Sequence, residues 1–245
     1  AGVNYFDVAP SYGDAQYILG PALELYRKDV FLACKTNKRS AKEAEKELNE
    51  SLRALKTDYF DVYQMHAIDS PEDLEQVFAP NGAMEAILKA KKQGKIRNIG
   101  FSCHRERSAL YLMSQFDFDT VMHPINFLCM ERSGKGQLLI KQAEKKNMGI
   151  LALKTLALRP YHKDETRAYA NTWYYPIEKD DELTALAMRY TYNAANIVMI
   201  SPGVKSYLDL MLRIEKENPD LPELTTEEKQ LMIENTKEYN PLFMD

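Results

Sequence analysis

Four polar residues in the first third of the chain have side chains that could hold or transfer a proton. Asp7, Lys35 and His66 each lie at or near the end of a short apolar run, and successive members are about 30 residues apart, the length of one βα unit. Tyr12 follows the first run, within PSYG, a sequence typical of a loop. If the runs are neighbouring parallel strands, these side chains converge where the strands end.

The chemistry that this set predicts is acid–base catalysis. A charge in an apolar run is costly unless it is paired, so we expect a buried ion pair between Asp7 and Lys35. A nearby ammonium favours the phenolate of Tyr12 and is expected to lower its pKa, and His66 adds a second donor or proton relay. Such a set can donate a proton to a carbonyl oxygen or take one from an alcohol. Each residue alone is better explained structurally, and only the combination favours a catalytic site.

Seven short runs rich in β-branched and aromatic residues are predicted to be strands, most of them buried on both faces as in a parallel sheet. They are residues 3–9, 30–34, 59–65, 96–102, 119–125, 149–155 and 196–202. Segments with a helical period separate them. One begins at Ser40 with a capping-box pattern to Glu43, and two are predicted to end at the glycines Gly94 and Gly149.

This alternation predicts an α/β fold, and specifically a (β/α)8 TIM barrel in a single domain over residues 1–245, with a C-terminal helix and tail from about residue 225. The eighth strand is expected to precede residue 1, so that the first βα unit is missing from this sequence. The alternative is an open doubly wound sheet, but the GxGxxG turn of that fold is absent after the first strand.

Composition excludes several other classes of protein. The net charge of −4 and the intermixed acidic and basic residues do not favour nucleic-acid binding, and no apolar run approaches the length of a membrane span. Cys34, Cys103 and Cys129 are too far apart for a disulfide framework or a cysteine-held metal site, so we expect no metal and a reducing, cytoplasmic location.

Several segments resemble those of the aldo-keto reductase family, over residues 2 to about 213. GVNYFDVAPSYG is similar to the family's second strand with its Asp and Tyr, VFLACKT to the strand with the catalytic Lys, and SLRALKTDYFDVYQMH to the segment ending in the catalytic His. KIRNIGFS and SPGVKS resemble the next strand and the cofactor-binding turn after the last strand.

The resemblance implies NADPH-dependent reduction of a small aldehyde or ketone. Tyr12 would be the general acid, Lys35 paired with Asp7 would lower its pKa, and His66 would orient the carbonyl group. Ser102 would contact the carboxamide of the cofactor. The remaining expected contacts are Lys154, Thr155 and Leu156 along the pyrophosphate, and Ser201, Gly203, Lys205 and Ser206 at the adenosine end. A lysine charge and a hydroxyl suit a 2′-phosphate, which favours NADPH over NADH.

This chain departs from the family pattern at three positions. Cys103 stands where the family often has Asn, Met122 where it commonly has Gln, and Arg213 where Asn often contacts the adenine. Met cannot donate a hydrogen bond to the carboxamide. ALKTLALRP resembles a strand of a bacterial branch in which some members carry a C-terminal cysteine cluster; no cysteine follows Cys129, and no iron–sulfur cluster is expected.

Two further functions stay open at the level of sequence. The departures at Cys103 and Met122 are compatible with a non-catalytic NADP(H)-binding regulatory module on the same fold. Lys35 and Lys154 both end predicted strands, which would allow a Schiff-base lyase, although pairing with Asp7 would keep Lys35 protonated. Trp173, Tyr174 and Tyr175 could form a wall of the substrate pocket or pack onto the barrel. The substrate and the oligomeric state are not encoded in any motif.

Overall fold

The computed structural model describes residues 2–178 and 180–243. The chain divides into two compact units, residues 1–121 and residues 122–245. Strand β5 (Thr120–Pro124) contains the junction between them.

The first unit consists of alternating strands and helices. Its strands are β1 (Tyr5–Asp7), β2 (Phe31–Thr36), β3 (Phe60–Met65) and β4 (Ile96–Ser102). Its helices are α1 (Ala15–Leu23), α2 (Ala41–Ala54), α3 (Pro71–Phe78), α4 (Ala83–Lys92) and α5 (Glu106–Gln115). The four strands are hydrogen-bonded in the order of the sequence, and each pair is parallel.

The register of these strands sets the relative levels of the polar residues near their carboxyl ends. Asp7 on β1 lies opposite Ala33 on β2, and Lys35 lies opposite Gln64 on β3. The same register places Gln64 opposite Gly100 on β4. Because parallel strands in register end at the same edge, the unit presents its strand-end polar groups together.

Helix α2 illustrates how the helices cover this sheet. Its buried residues include Ala44, Leu48 and Leu52, which recur every four residues and therefore share one face. The Ser40 hydroxyl caps the helix by accepting a hydrogen bond from the Glu43 amide.

A close approach between α1 and α2 explains the glycine in the middle of α1. A Cβ at Gly20 would lie 2.3 Å from the carbonyl oxygen of Ala54, so only glycine fits there. Helix α1 continues through Gly20 and Pro21, although both residues weaken a helix in isolation.

The second unit contains the remaining elements. Its strands after β5 are β6 (Gly149–Leu153), β7 (Ala157–Pro160), β8 (Tyr174–Pro176) and β9 (Ile197–Met199). Its helices are α6 (Phe127–Ser133), α7 (Gln137–Lys145), α8 (Asp181–Tyr192), α9 (Lys205–Glu217) and α10 (Thr226–Thr236). Strands β6 and β9 pair in parallel, and β7 and β8 form a separate antiparallel hairpin.

Each of the seven predicted strands is found, and the α/β class is confirmed. The closed eight-stranded barrel, the single-domain assignment and the missing first βα unit stay predictions. The prediction that a helix ends at Gly149 is wrong: α7 ends at Lys145, Asn147 adopts a φ of 54°, and Gly149 begins β6. None of the helices in the described ranges is long and apolar enough to span a membrane.

The amino ends of the strands in the first unit are held by a buried carboxylate. Asp61 accepts hydrogen bonds or ion pairs from Arg27 at 2.9 Å, Arg97 at 2.8 Å and the amide of Leu32 at 3.0 Å. The two guanidinium groups lie 4.0 and 3.8 Å from the ring centre of Tyr59. This network joins β2, β3 and β4 near their amino ends.

We expect Asp61→Asn to destabilise the protein by about 3 kcal/mol, because the substitution leaves buried Arg27 without its counter-charge. The free energy of unfolding in urea measures this effect. Asp58→Asn, an exposed aspartate three residues earlier, is the matched control and should change stability by less than about 0.5 kcal/mol. Equal effects of the two substitutions would show that the network does not stabilise the fold.

Candidate active site

A buried ion pair lies at the carboxyl ends of β1 and β2. The ammonium of Lys35 contacts a carboxylate oxygen of Asp7, and the two side chains are 0% and 8% exposed. The side-chain amide of Gln64, from β3, donates to the other Asp7 oxygen at 3.1 Å. The pair predicted from the sequence is therefore present. Gln64 was not predicted, although a polar residue inside an otherwise buried strand was a signal for it.

The loop after β1 brings Tyr12 to this pair. Its turns are closed by hydrogen bonds from the Tyr12 amide to the Ala9 carbonyl and from the Ala15 amide to the Tyr12 carbonyl, and Gly13 takes a φ of 57°. Lys35 donates to the Tyr12 hydroxyl at 3.2 Å, and its ammonium lies 4.9 Å from the ring centre. Lys35 thus contacts both the carboxylate and the phenol.

The two proton-bearing groups of this cluster, Lys35 and Tyr12, both have a raised pKa, for different reasons. Burial lowers the pKa of Lys35, but Asp7 and Tyr12 together raise it above its ordinary value, so the ammonium is retained. Burial raises the pKa of Tyr12 and outweighs the lowering by Lys35. The expected net lowering of the Tyr12 pKa is not found: Lys35 does lower it, but as the smaller effect. Tyr12 is 44% exposed, so contact with solvent limits the rise.

His66 follows β3 and faces Tyr12. The ring centres of the two residues are 5.7 Å apart, and the rings are nearly perpendicular at 89°. The Nδ1 atom of His66 lies 3.5 Å from the hydroxyl of Ser11, in the same loop as Tyr12. The four residues predicted to be catalytic, Asp7, Tyr12, Lys35 and His66, are therefore brought together in the first unit.

The backbone around His66 is held by a residue that was not predicted. Arg39 donates to the carbonyl of His66 at 2.8 Å and pairs with Asp73 at 2.7 Å. The His66 amide donates to the carbonyl of Thr36, the last residue of β2. These contacts orient the histidine from the segment between β2 and α2.

Ser102 ends β4 and contacts the turn that follows His66. Its hydroxyl accepts a hydrogen bond from the amide of Ala67 at 2.8 Å, where Ala67 has a φ of 51°. Its carbonyl accepts from the amide of Ile68 at 2.9 Å. The hydroxyl therefore stabilises a strained turn, and any contact with a carboxamide would be additional to this role.

An aspartate–histidine pair holds the segment after Ser102. Asp69 accepts hydrogen bonds from the amides of His104 at 2.6 Å and Arg105 at 3.0 Å, and its second oxygen lies 2.8 Å from Nδ1 of His104. Burial raises the pKa of Asp69, but the contacts with His104 outweigh it and lower the pKa overall. Cys103, between Ser102 and this pair, is fully buried.

The second unit contains the other residues predicted to bind a cofactor. Lys154 directly follows β6 with a φ of 64°, and only 7% of it is exposed. Its ammonium lies 4.9 Å from the ring centre of Trp173 and 5.4 Å from that of Phe243. Its carbonyl accepts from the side-chain amide of Asn126 at 3.0 Å. Lys154 is thus held among aromatic rings rather than extended into solvent.

Thr155 and Leu156 face the core of the second unit. Leu156 is fully buried in an apolar cluster with residues of α8 and α9. The Thr155 hydroxyl is buried without a hydrogen-bond partner among the described residues, and it lines a cavity of about 10 Å³ with Asn126 and Thr236. A cavity of this size holds one water molecule at most. Any contact from these two residues to a cofactor would therefore come from their backbone.

The turn between β9 and α9 contains Ser201, Gly203, Lys205 and Ser206. A Cβ at Gly203 would lie 3.0 Å from the carbonyl oxygen of Asn171, so the turn packs closely against the preceding loop. Lys205 and Ser206 form the first turn of α9, whose N-cap position, Val204, provides no side-chain cap. Lys205 and Ser206 provide an ammonium and a hydroxyl at this uncapped helix start, and both groups can donate a hydrogen bond to an anionic oxygen.

The aromatic residues of the long loop before α8 divide into different environments. Tyr174 is buried on β8 and packs against Ala157 and Leu242, whereas Trp173 is 44% exposed. Tyr175 donates from its hydroxyl to Glu178 at 3.0 Å and stacks on Arg159. Tyr175 also packs, partly buried, against the apolar cluster of the second unit, so Trp173 is the most exposed of the three.

Comparison with protein families and known proteins identifies the group to which this chain is related. The model of the aldo/keto reductase family matches residues 1–211. The uncharacterized oxidoreductase YqkF of Bacillus subtilis is 31% identical over 118 residues, which cover 42% of this chain and 37% of that protein. The matches to curated relatives span only 33–37% of their length.

Solved structures of aldo-keto reductases have the same fold. The holo form of AKR11C1 from Bacillus halodurans has a TM-score of 0.70 and 22% identity, covering 98% of this chain and 85% of that one. An aldo-keto reductase from Klebsiella pneumoniae in complex with NADPH has a TM-score of 0.70 and 20% identity, covering 100% of this chain and 83% of that one. With the family model matching most of the sequence, the chain belongs to the aldo/keto reductase family.

Proposed function

We propose that this protein reduces an aldehyde or ketone to an alcohol with NADPH, with Tyr12 as the general acid. The observation that carries this proposal is the position of the Lys35 ammonium, which contacts Asp7 and donates to the Tyr12 hydroxyl at 3.2 Å. A buried ammonium that binds both a carboxylate and a phenol serves no evident packing purpose. It is suited to stabilising the phenolate that forms when Tyr12 gives up its proton.

Each member of the cluster has a distinct part in this reaction. Tyr12 donates its proton to the carbonyl oxygen of the substrate, and Lys35 stabilises the resulting phenolate. Asp7 keeps Lys35 charged, and Gln64 fixes Asp7 by donating to its other oxygen. In the resting protein burial keeps the pKa of Tyr12 above its ordinary value, so the phenol is fully protonated at neutral pH and ready to donate.

His66 is placed to orient the substrate. Its ring centre lies 5.7 Å from that of Tyr12, so a carbonyl oxygen that accepts from the phenol can also lie within reach of the imidazole. Two donors on one carbonyl oxygen restrict its position and withdraw electron density from the carbon. Arg39 holds the backbone of His66 and acts through it.

The cofactor would supply the hydride that attacks the carbonyl carbon. The first turn of α9 would hold a phosphate of its adenosine end, because Lys205, Ser206 and the uncapped amides form a favourable site for an anion. The similarity to a Klebsiella reductase described in complex with NADPH supports this cofactor class. Ser102 and the backbone of residues 154–156 are the other proposed contacts.

Two alternatives lead to different experimental results. A non-catalytic NADP(H)-binding module predicts saturable binding of NADPH without turnover of any carbonyl compound by the wild-type protein. A Schiff-base lyase predicts trapping of the substrate on a lysine by borohydride. The pKa of Lys35 is raised, which keeps the amine protonated and non-nucleophilic and disfavours the lyase.

Substitution of Tyr12 tests the proposed acid. We expect Tyr12→Phe to lower kcat for reduction of a panel of small aldehydes by at least about 100-fold, because the proton donor is lost, while NADPH binding measured by fluorescence titration is unchanged. Tyr17→Phe is the matched control, because Tyr17 is exposed on α1, and it should retain full activity. Undiminished turnover by Tyr12→Phe would refute the assigned role.

Substitution of Asp7 tests the charge balance through the pH profile. The pKa of Lys35 is higher in the folded protein than in the unfolded chain, where it is about 10.4, so protonated Lys35 stabilises the fold at pH values below about 10.4. This stabilisation is lost as the pH rises through the pKa of Lys35 in the folded protein. Without Asp7, burial lowers the pKa of Lys35, so Asp7→Asn should move the alkaline loss of kcat/KM to lower pH.

Asp14→Asn, an exposed aspartate at the end of the Tyr12 loop, should leave the pH profile unchanged. Where Asp7→Asn folds poorly, the double variant with Lys35→Met removes both buried charges together and should restore the fold without restoring activity. An alkaline limb that is identical in the wild type and in folded Asp7→Asn would contradict the proposed coupling.

A further inference from the structure

The exposed side of α9 carries a row of charges that begins at the proposed adenosine site. Lys205 and Asp209 are one helical turn apart, and the Lys205 ammonium donates to the Asp209 carboxylate at 2.6 Å. Their side chains are 85% and 56% exposed. The lysine expected to bind a 2′-phosphate is therefore already paired with an acid on its own helix.

The next base in the same row is also paired. Arg213 lies one further turn along α9 and binds Asp181 through two hydrogen bonds of 2.7 and 2.9 Å. These contacts raise the pKa of Arg213 and lower that of Asp181, so both groups stay charged. The bases on this side of α9 are each paired with an acid, so this surface has no excess of positive charge. Selective binding of a phosphate dianion requires such an excess.

The Asp209 carboxylate opposes a phosphate group at this position. A phosphate and a carboxylate that contact the same ammonium are within about 6 Å of each other, where like charges repel even in water. A ribose hydroxyl carries no charge and is therefore not repelled by the carboxylate. Asp209 therefore penalises a nucleotide with a 2′-phosphate and leaves one with a free 2′-hydroxyl unaffected.

We propose that Asp209 determines the cofactor specificity of this protein by weakening its preference for NADPH, so that NADH is also used. This inference rests on the proposed function, because it concerns the adenosine end of the same cofactor site. It makes Asp209 a specificity-determining residue that acts through Lys205. An exposed pair of this kind contributes little to stability, so its removal leaves the fold intact.

The test is the ratio of kcat/KM for NADPH to kcat/KM for NADH with one carbonyl substrate. We expect Asp209→Asn to raise this ratio about threefold to tenfold, through a lower KM for NADPH, with KM for NADH unchanged. The difference between variant and wild type should shrink as salt is added, because the charges are exposed. Glu215→Gln, which removes an exposed acid further along α9, is the control and should leave the ratio unchanged.

A binding measurement separates this inference from the proposed function. Calorimetric titration with 2′-AMP and 5′-AMP needs no turnover, and Asp209→Asn should bind 2′-AMP more tightly than the wild type while binding 5′-AMP equally. An unchanged kcat/KM ratio, or unchanged 2′-AMP affinity, would overturn the role of Asp209. Absence of turnover with either cofactor, together with tighter 2′-AMP binding by the variant, would overturn the proposed function and support the role of Asp209.

Discussion

The structure of the first unit depends on the burial of one charge. The Lys35 side chain has no exposed surface, and an ammonium in that position is tolerated only with a counter-charge and further hydrogen-bond acceptors. Asp7 provides the charge from the adjacent strand, and the Tyr12 hydroxyl provides an acceptor from the loop that follows. The parallel register of β1, β2 and β3 sets Lys35 opposite Gln64 and Asp7 two residues earlier, opposite Ala33, and the side chains of Lys35 and Gln64 both reach the Asp7 carboxylate. A slip of one residue in any of these strands would turn a charged side chain to the other face of the sheet.

This arrangement also decides the state of the proposed acid. Tyr12 experiences two opposing influences, because burial disfavours the phenolate while the Lys35 ammonium favours it. The balance keeps the phenol protonated but places a cation beside the oxygen that becomes negative in the reaction. Such an environment stabilises the product of proton transfer more than the resting state, which is the requirement for lowering a barrier. In the proposed reaction the ammonium has its main effect as the phenolate forms, and the resting pKa of Tyr12 alone does not reveal it.

The proposed cofactor residues of the second unit lie in different surroundings. The start of α9 is open and uncapped, whereas Lys154 is enclosed by aromatic rings and the Thr155 side chain faces the core. Membership of the aldo/keto reductase family explains why these positions were expected to contact a nucleotide. Under the proposed role of Asp209, the charges beside Lys205 decide which nucleotide this chain favours.

The sequence by itself determined the strand–helix alternation and the identity of the catalytic candidates. Seven strands could be predicted because an apolar run of this length has few other stable environments, and a charged residue in such a run had to be paired. The end of α7 was predicted at Gly149, but Asn147 adopts the left-handed conformation after this helix. The hairpin of β7 and β8 was not predicted, because such short strands are recognised only by their pairing with each other. The support of Asp7 by Gln64 and of His66 by Arg39 also required tertiary structure, since neither pair is close in sequence. The net direction of the Tyr12 pKa was decided by tertiary structure as well, because burial is a property of the whole fold whereas a neighbouring charge can be read from a motif.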